Sequence, residues 1–175
     1  VEKMLLTNKG KYKLLGWPFR AASIPTNFYI ALCTSATAPT YQTNTLADLT
    51  QIATGNGYTD GGYQLTPGST DFDVWTEDDI DNEGEIQVKD VTWTASGGTI
   101  PDSGDGARYA VLTDDNGTVA NREVYAVWDL EMDRTVTDGF TLSLVNLTLK
   151  LVDDTSFSVR FDSVNITDNA AAIVV

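Results

Sequence analysis

"ARYAVLTDDNGTVANREVYAVWDL", Ala107 to Leu130, is the stretch whose reading decides the fold. Two runs rich in β-branched and aromatic residues flank Asp115-Asn116-Gly117. Asn-Gly accepts the positive φ angles of a hairpin turn, so the stretch predicts two antiparallel strands. The residues from Thr118 to Asn121 predict a connection longer than two residues.

The same grammar extends in both directions. In "EIQVKDVTWTA" (Glu85 to Ala95), Ile86 and Val88 alternate and the phase then moves to Val91 and Trp93, as a β-bulge would make it. "FTLSLVNLTLKL" (Phe140 to Leu151) places Phe140, Leu142 and Leu144 on one face. Val145, Leu147, Leu149 and Leu151 then take over, so a second bulge or bend is expected near Leu144. Asp153-Asp154-Thr155 reads as a turn into "FSVRF" (Phe157 to Phe161), and the tail "NAAAIVV" is apolar and expected to pack. "NFYIALC" (Asn27 to Cys33) is a further strand. Short strands separated by turn signals predict a mainly β chain: a single β-sandwich or barrel-like domain.

Two helices are expected. "EKMLLTNKGKYKLLGW" (Glu2 to Trp17) sets Leu5, Tyr12 and Leu15 on one face, with Gly16 and Pro18 ending the pattern. Gly10 inside it costs about 1 kcal/mol against alanine. "TLADLTQIA" (Thr45 to Ala53) reads as a short helix capped by Thr45, with Leu46, Leu49 and Ile52 three apart. The chain therefore divides into an N-terminal helix and docking arm, 1–26, and a β-rich body, 27–175. "ATGNGYTDGGYQL" (Ala53 to Leu65) lacks the lysine and following helix of a phosphate loop. It reads as a turn whose glycines serve backbone geometry and whose tyrosines, Tyr58 and Tyr63, pack.

Hydrophobic residues make up 42% of the 175, enough for a packed core. Histidine is absent, which removes Ser-His-Asp and Cys-His catalysis. Cys33 alone cannot form an internal disulfide or a thiolate zinc cluster. No apolar run is long enough to span a membrane, so no membrane partner is expected, and no signal-peptide pattern opens the sequence. Net charge is −14 and uneven. Residues 1–47 carry Lys3, Lys9, Lys11, Lys13 and Arg20 against Glu2 alone, so the body holds all the negative excess. Such a body repels nucleic acid, while the basic stretch suits an acidic protein surface.

Motifs that could carry chemistry are few. In "DIDNEGEIQVKD" (Asp79 to Asp90), Asp79, Asp81, Glu83 and Asp90 occupy positions 1, 3, 5 and 12 of a calcium-type loop, with Gly84 at 6. Glutamate at 5, aspartate at 12 and a following strand favour an acidic hairpin tip instead. Asp102-Ser103-Gly104 matches the aspartic-protease triplet in letters only, with no second copy. The sequons at Asn116, Asn146 and Asn165 read as coincidence in a threonine-rich chain. Trp17, Trp75, Trp93 and Trp128 suit packing and interfaces more than a carbohydrate platform.

"LLTNKGKYKLLGWPF" (Leu5 to Phe19), Pro25 to Thr66, and the quoted hairpin together resemble small virion structural proteins of tailed bacteriophages, over about residues 4 to 150. The resemblance implies a non-enzymatic capsid decoration (cement) protein located in the virion. Its expected partners are the major capsid protein or another virion protein and copies of itself, a trimer favoured. The alternative is a tail or head-fibre component touching host glycan, and a third reading is a secreted carbohydrate-binding or hydrolytic β-domain using calcium at Asp79 to Asp90. No cofactor is expected otherwise. Lys9, Lys11, Lys13, Trp17, Phe19 and Arg20 are the expected interface residues.

Overall fold

The computed structural model describes residues 4–152. In chain order its strands are β1 (Met4–Leu6), β2 (Phe28–Cys33), β3 (Tyr63–Leu65), β4 (Val74–Asp78), β5 (Glu83–Val88), β6 (Val91–Thr94), β7 (Ala107–Thr113), β8 (Val124–Arg134), β9 (Thr141–Leu144) and β10 (Leu147–Val152). The α-helix, α1, is Asn8–Arg20. The chain is mainly β and sandwich-like, with the helix at its N-terminal end.

The predicted hairpin is the spine of the molecule. β7 and β8 pair antiparallel inside a five-stranded sheet of order β1-β8-β7-β2-β3. Between them Gly117 takes φ 59°, and Asp114 accepts hydrogen bonds from the backbone of Asn116 (3.2 Å) and Glu123 (2.7 Å). This sheet is covered on both faces. Phe28, Ile30 and Leu32 of β2 face one core with Val88, Trp93 and Leu144. Ala31 and Cys33 face the other, with Leu46, Leu49, Val111 and Val127. Burial on both sides explains why "FYIALC" is apolar without alternation.

The phase shifts at Val88/Val91 and Leu144/Leu147 have one cause, and it is not a pair of bulges. β5 pairs with β10 through Val88↔Leu147, and β6 pairs with β9 through Val91↔Leu144. Each strand advances three residues between these pairs, so the register is unchanged across the break. A bulge adds a residue to one strand only. Here Lys89-Asp90 and Val145-Asn146 interrupt both strands together, and a single ribbon turns over so that both halves bury their apolar face. Asn146 has φ 56° at the break. Asp71 holds the other side: its carbonyl accepts from Lys89 N (3.0 Å) and its carboxylate pairs with Lys89 Nζ (2.6 Å).

A true bulge does occur, in β8. Leu112 pairs with Ala126 and Thr113 with Val124, leaving Tyr125 extra. The freed carbonyls are taken by Thr7. Its N–H donates to Tyr125 O (3.0 Å) and its hydroxyl donates to Val124 O (2.6 Å). The same hydroxyl accepts from Gly10 N (2.9 Å) as the N-cap of α1. One buried threonine thus joins the bulge to the helix start.

This corrects the expected helix bounds. Met4 to Leu6 form β1, paired with β8 from Trp128 to Ala126, and the helix begins after Thr7. It runs through Pro18 to a left-handed Ala21 (φ 49°), with Ala22 N bonded to Gly16 O (3.1 Å). Within the expected arm at 1–26, Met4 to Leu6 are hydrogen-bonded into the main sheet as its edge strand. The expected helix at Thr45 to Ala53 is a single 3₁₀ turn, Leu46–Asp48. Beyond it the chain is extended beside β2, with Ile52 N bonded to Leu32 O (3.0 Å). Leu46 and Leu49 are buried in the core with Ala31 and Cys33, whereas Ile52 is buried in the other, with Ile30 and Leu32.

The Gly/Tyr segment is an ordered turn. Tyr58 is buried and its hydroxyl accepts from Leu32 N (2.9 Å), while the Tyr63 ring meets Trp93 edge to face. Gly62 has φ 79°, and a Cβ there would lie 1.9 Å from Ile30 O.

Candidate functional site: the surfaces of helix α1

Three faces of α1 do different things. The inward face is Gly10, Leu14 and Trp17, spaced four and three apart. Gly10 is buried against β8: a Cβ on it would sit 2.3 Å from Tyr125 O. Trp17 meets Phe28 (6.1 Å) and Tyr125 (5.9 Å) edge to face. The second face carries Lys9 and Lys13, which close on Glu123 at 3.1 and 2.6 Å. Burial pushes the Glu123 carboxyl up, but the ammonium groups of Lys13 and Lys9 outweigh it and hold the pKa below the ordinary glutamate value. The third face points to solvent and holds Tyr12, Leu15 and Phe19, which are 70%, 63% and 77% exposed.

This inverts the reading of the helix. Tyr12 and Leu15 do share a face, but it is the outer one. Leu5 is not on the helix at all. Of the expected interface residues, Lys9, Lys13 and Trp17 are engaged by the chain's own body. Lys11 lies over the Tyr41 ring at 5.0 Å, Phe19 belongs to the outward face with Tyr12 and Leu15, and Arg20 is exposed. Sequence reasoning missed Thr7, Glu123 and the outward role of Tyr12 and Leu15. The available signal was Gly10: a glycine in register with Leu14 and Trp17 marks the side where helix and sheet approach closely.

The expected calcium-loop residues do not converge. Asp79 and Asp81 lie in the turn between β4 and β5, where Asp78 accepts from the backbone of Ile80 and Asp81. Glu83 opens β5 and is ion-paired with Lys150. Asp90 follows the far end of that strand, roughly 23 Å away at about 3.3 Å per residue. Among the described residues no group of three acidic, histidine or cysteine side chains is placed to hold a metal ion. Asp102 lies in the loop after Pro101 and accepts from Asn56 Nδ2 (2.7 Å).

The tryptophans divide unevenly. Trp93 and Trp128 are buried, and Trp128 Nε1 donates to Thr148 O (3.0 Å). Trp75 on β4 is 88% exposed. It stands at the mouth of an apolar cleft of about 580 Å³ between α1 and the small sheet β10-β5-β4. The turn Asp153-Asp154-Thr155, "FSVRF", the apolar tail and the Asn165 sequon lie outside the described residues.

The fold and this surface define a mainly β, sandwich-like domain that presents an amphipathic helix outward. No protein-family model, no curated protein and no solved structure matches the chain.

Proposed function

We propose that this chain is a non-enzymatic structural protein of a tailed-bacteriophage virion, a decoration protein that docks on the assembled capsid and bridges its subunits as a homo-oligomer, a trimer favoured. The sequence resemblance motivates the virion role. The observation that carries the docking is the solvent-facing stripe Tyr12, Leu15 and Phe19 on a helix whose other two faces are already engaged. A row of large apolar side chains at helical spacing is the form in which a helix lies in a groove on a partner. Lys11 and Arg20 flank it and suit an acidic groove, while the acidic body keeps the free protein soluble. A protein that binds only the assembled shell stabilises it by mass action, about 2.7 kcal/mol at a hundredfold excess over Kd.

Purified expanded capsids test this. With the protein present they are expected to melt at higher temperature. Phe19→Ala is expected to weaken binding by about thirtyfold, equivalent to about 2 kcal/mol for a central aromatic contact. Absence of binding together with unchanged capsid melting refutes the reading. Microscopy of the particle separates this from a tail or head-fibre role, which requires low copy number away from the shell.

A further inference from the structure

Asparagine followed by glycine occurs twice in the sequence, at Asn56-Gly57 and at Asn116-Gly117. The fold treats the two pairs oppositely. The Asn56 side chain donates from Nδ2 to Thr99 O (2.9 Å) and to Asp102 Oδ1 (2.7 Å). Its carbonyl accepts from Ser96 N (2.9 Å), which fixes the peptide plane it shares with Gly57. Gly57 is itself packed so closely that a Cβ there would sit 2.3 Å from Thr94 O. Asn116, by contrast, stands exposed in the turn between β7 and β8. Among the described residues its side-chain amide makes no hydrogen bond, and neither does its carbonyl or the Gly117 N–H. A Cβ on Gly117 would meet no atom within 4 Å.

We infer that Asn116 is a site of spontaneous deamidation, with water as the co-reactant, and that the fold shields Asn56 from the same reaction. Glycine carries no side chain to obstruct its nitrogen. The Gly117 nitrogen gives its proton to water and bonds to Asn116 Cγ. The Cγ–Nδ2 bond breaks, the departing nitrogen takes up a proton and leaves as ammonia, and a cyclic succinimide remains. Water then opens the ring at either carbonyl, giving aspartate or isoaspartate. Nothing is oxidised or reduced: water is consumed, ammonia is released, and the turn gains a negative charge. Ring closure needs the side chain to swing toward a rotating peptide plane. At Asn116 that motion breaks no hydrogen bond among the described residues. The stem of the turn is held outside the reacting bond, because Asp114 accepts from Asn116 N (3.2 Å) and Glu123 N (2.7 Å). At Asn56 the same motion breaks the bonds to Thr99, Asp102 and Ser96. An aspartate formed there would also face the Asp102 carboxylate and the Thr99 carbonyl with no proton to donate to either.

Peptide mass spectrometry of the full-length chain, aged in mildly alkaline buffer, tests this. The peptide holding Asn116 is expected to gain about 1 Da and to resolve into aspartate and isoaspartate forms. Its rate is expected to be at least about tenfold that of Asn56, whose hydrogen bonds must open first. In guanidinium chloride those bonds are gone, and the ratio of the two rates is expected to fall to about threefold or less. A ratio below tenfold in the folded protein overturns the inference, as does an Asn116 that stays intact while the denatured chain converts. A larger ratio that persists in denaturant also overturns it, because flanking sequence and not the fold then sets the difference. Capsids play no part in this assay, so its outcome is separate from that of the virion reading.

Discussion

Gly10 is where local propensity and tertiary geometry make opposite predictions. Replacing a helix-interior glycine by alanine stabilises an exposed helix by about 1 kcal/mol. In this structure the added Cβ would lie 2.3 Å from Tyr125 O and 3.0 Å from Leu6 Cδ1. Ordinary contact begins near 3.4 Å, so α1 must retreat by about 1 Å or tilt. Either movement pulls at the Thr7 hydrogen bonds to the β8 bulge. Overpacking of this kind costs about 1–3 kcal/mol. Gly10→Ala is therefore expected to destabilise by up to about 2 kcal/mol net of the propensity gain. With a urea m-value near 2 kcal/mol/M, that lowers the midpoint by up to about 1 M. Gly16→Ala is the matched control. Its Cβ meets only Ala22 Cβ, at 3.4 Å, so the propensity gain of up to about 1 kcal/mol survives and the midpoint rises. The assay is urea unfolding followed by tryptophan fluorescence. Equal shifts of the two variants, or a Gly10→Ala midpoint at or above that of the unsubstituted protein, would refute the close approach of α1 to β8.

Three further outcomes are expected. Tyr58→Phe leaves the buried Leu32 N–H without its acceptor and is expected to cost about 1–3 kcal/mol, read in the same unfolding assay. Burial pushes the Cys33 thiol up to about 12, so native protein is expected to resist thiol reagents at pH 8 and to react at the rate of opening. Glu123 titrates below its ordinary 4.5 in the folded state, so its contribution is intact above that pH and is lost as the pH falls through the folded value. Asp114, raised by burial, contributes with the opposite sign. The difference between the unsubstituted protein and Glu123→Gln isolates the Glu123 contribution, and it is expected to shrink as the pH falls below about 4.5.

The hairpin from Ala107 to Leu130 was legible because Asn116-Gly117 and two strand-rich runs are local signals. The phase shifts near Val88 and Leu144 were visible too, but each strand shows only its own irregularity. That the two breaks lie opposite each other is a fact about pairing, which no single segment carries. Helix α1 was legible as a helix and illegible as to orientation. Tyr12, Leu15 and Phe19 make a better apolar stripe than Gly10, Leu14 and Trp17, yet a glycine wins the inner side because Tyr125 O leaves room for nothing larger. Its start was marked in the sequence by Thr7, a good capping residue, and obscured by Met4 to Leu6, whose strand character appears only once β8 is beside them. Of the expected interface residues, Phe19 and Arg20 are exposed. The pairing of Lys9 and Lys13 with Glu123 was illegible because that partner is more than a hundred residues away.

The turned-over ribbon also constrains how the sequence can change length. Deleting Asp90 alone would slide β6 against β9 by one step and carry Trp93 from the interior to the outside. Deleting one residue from each strand at the break, Asp90 and Val145, would leave every cross-strand partner in place. Length variants of this protein that still fold should therefore gain or lose residues here in matched pairs.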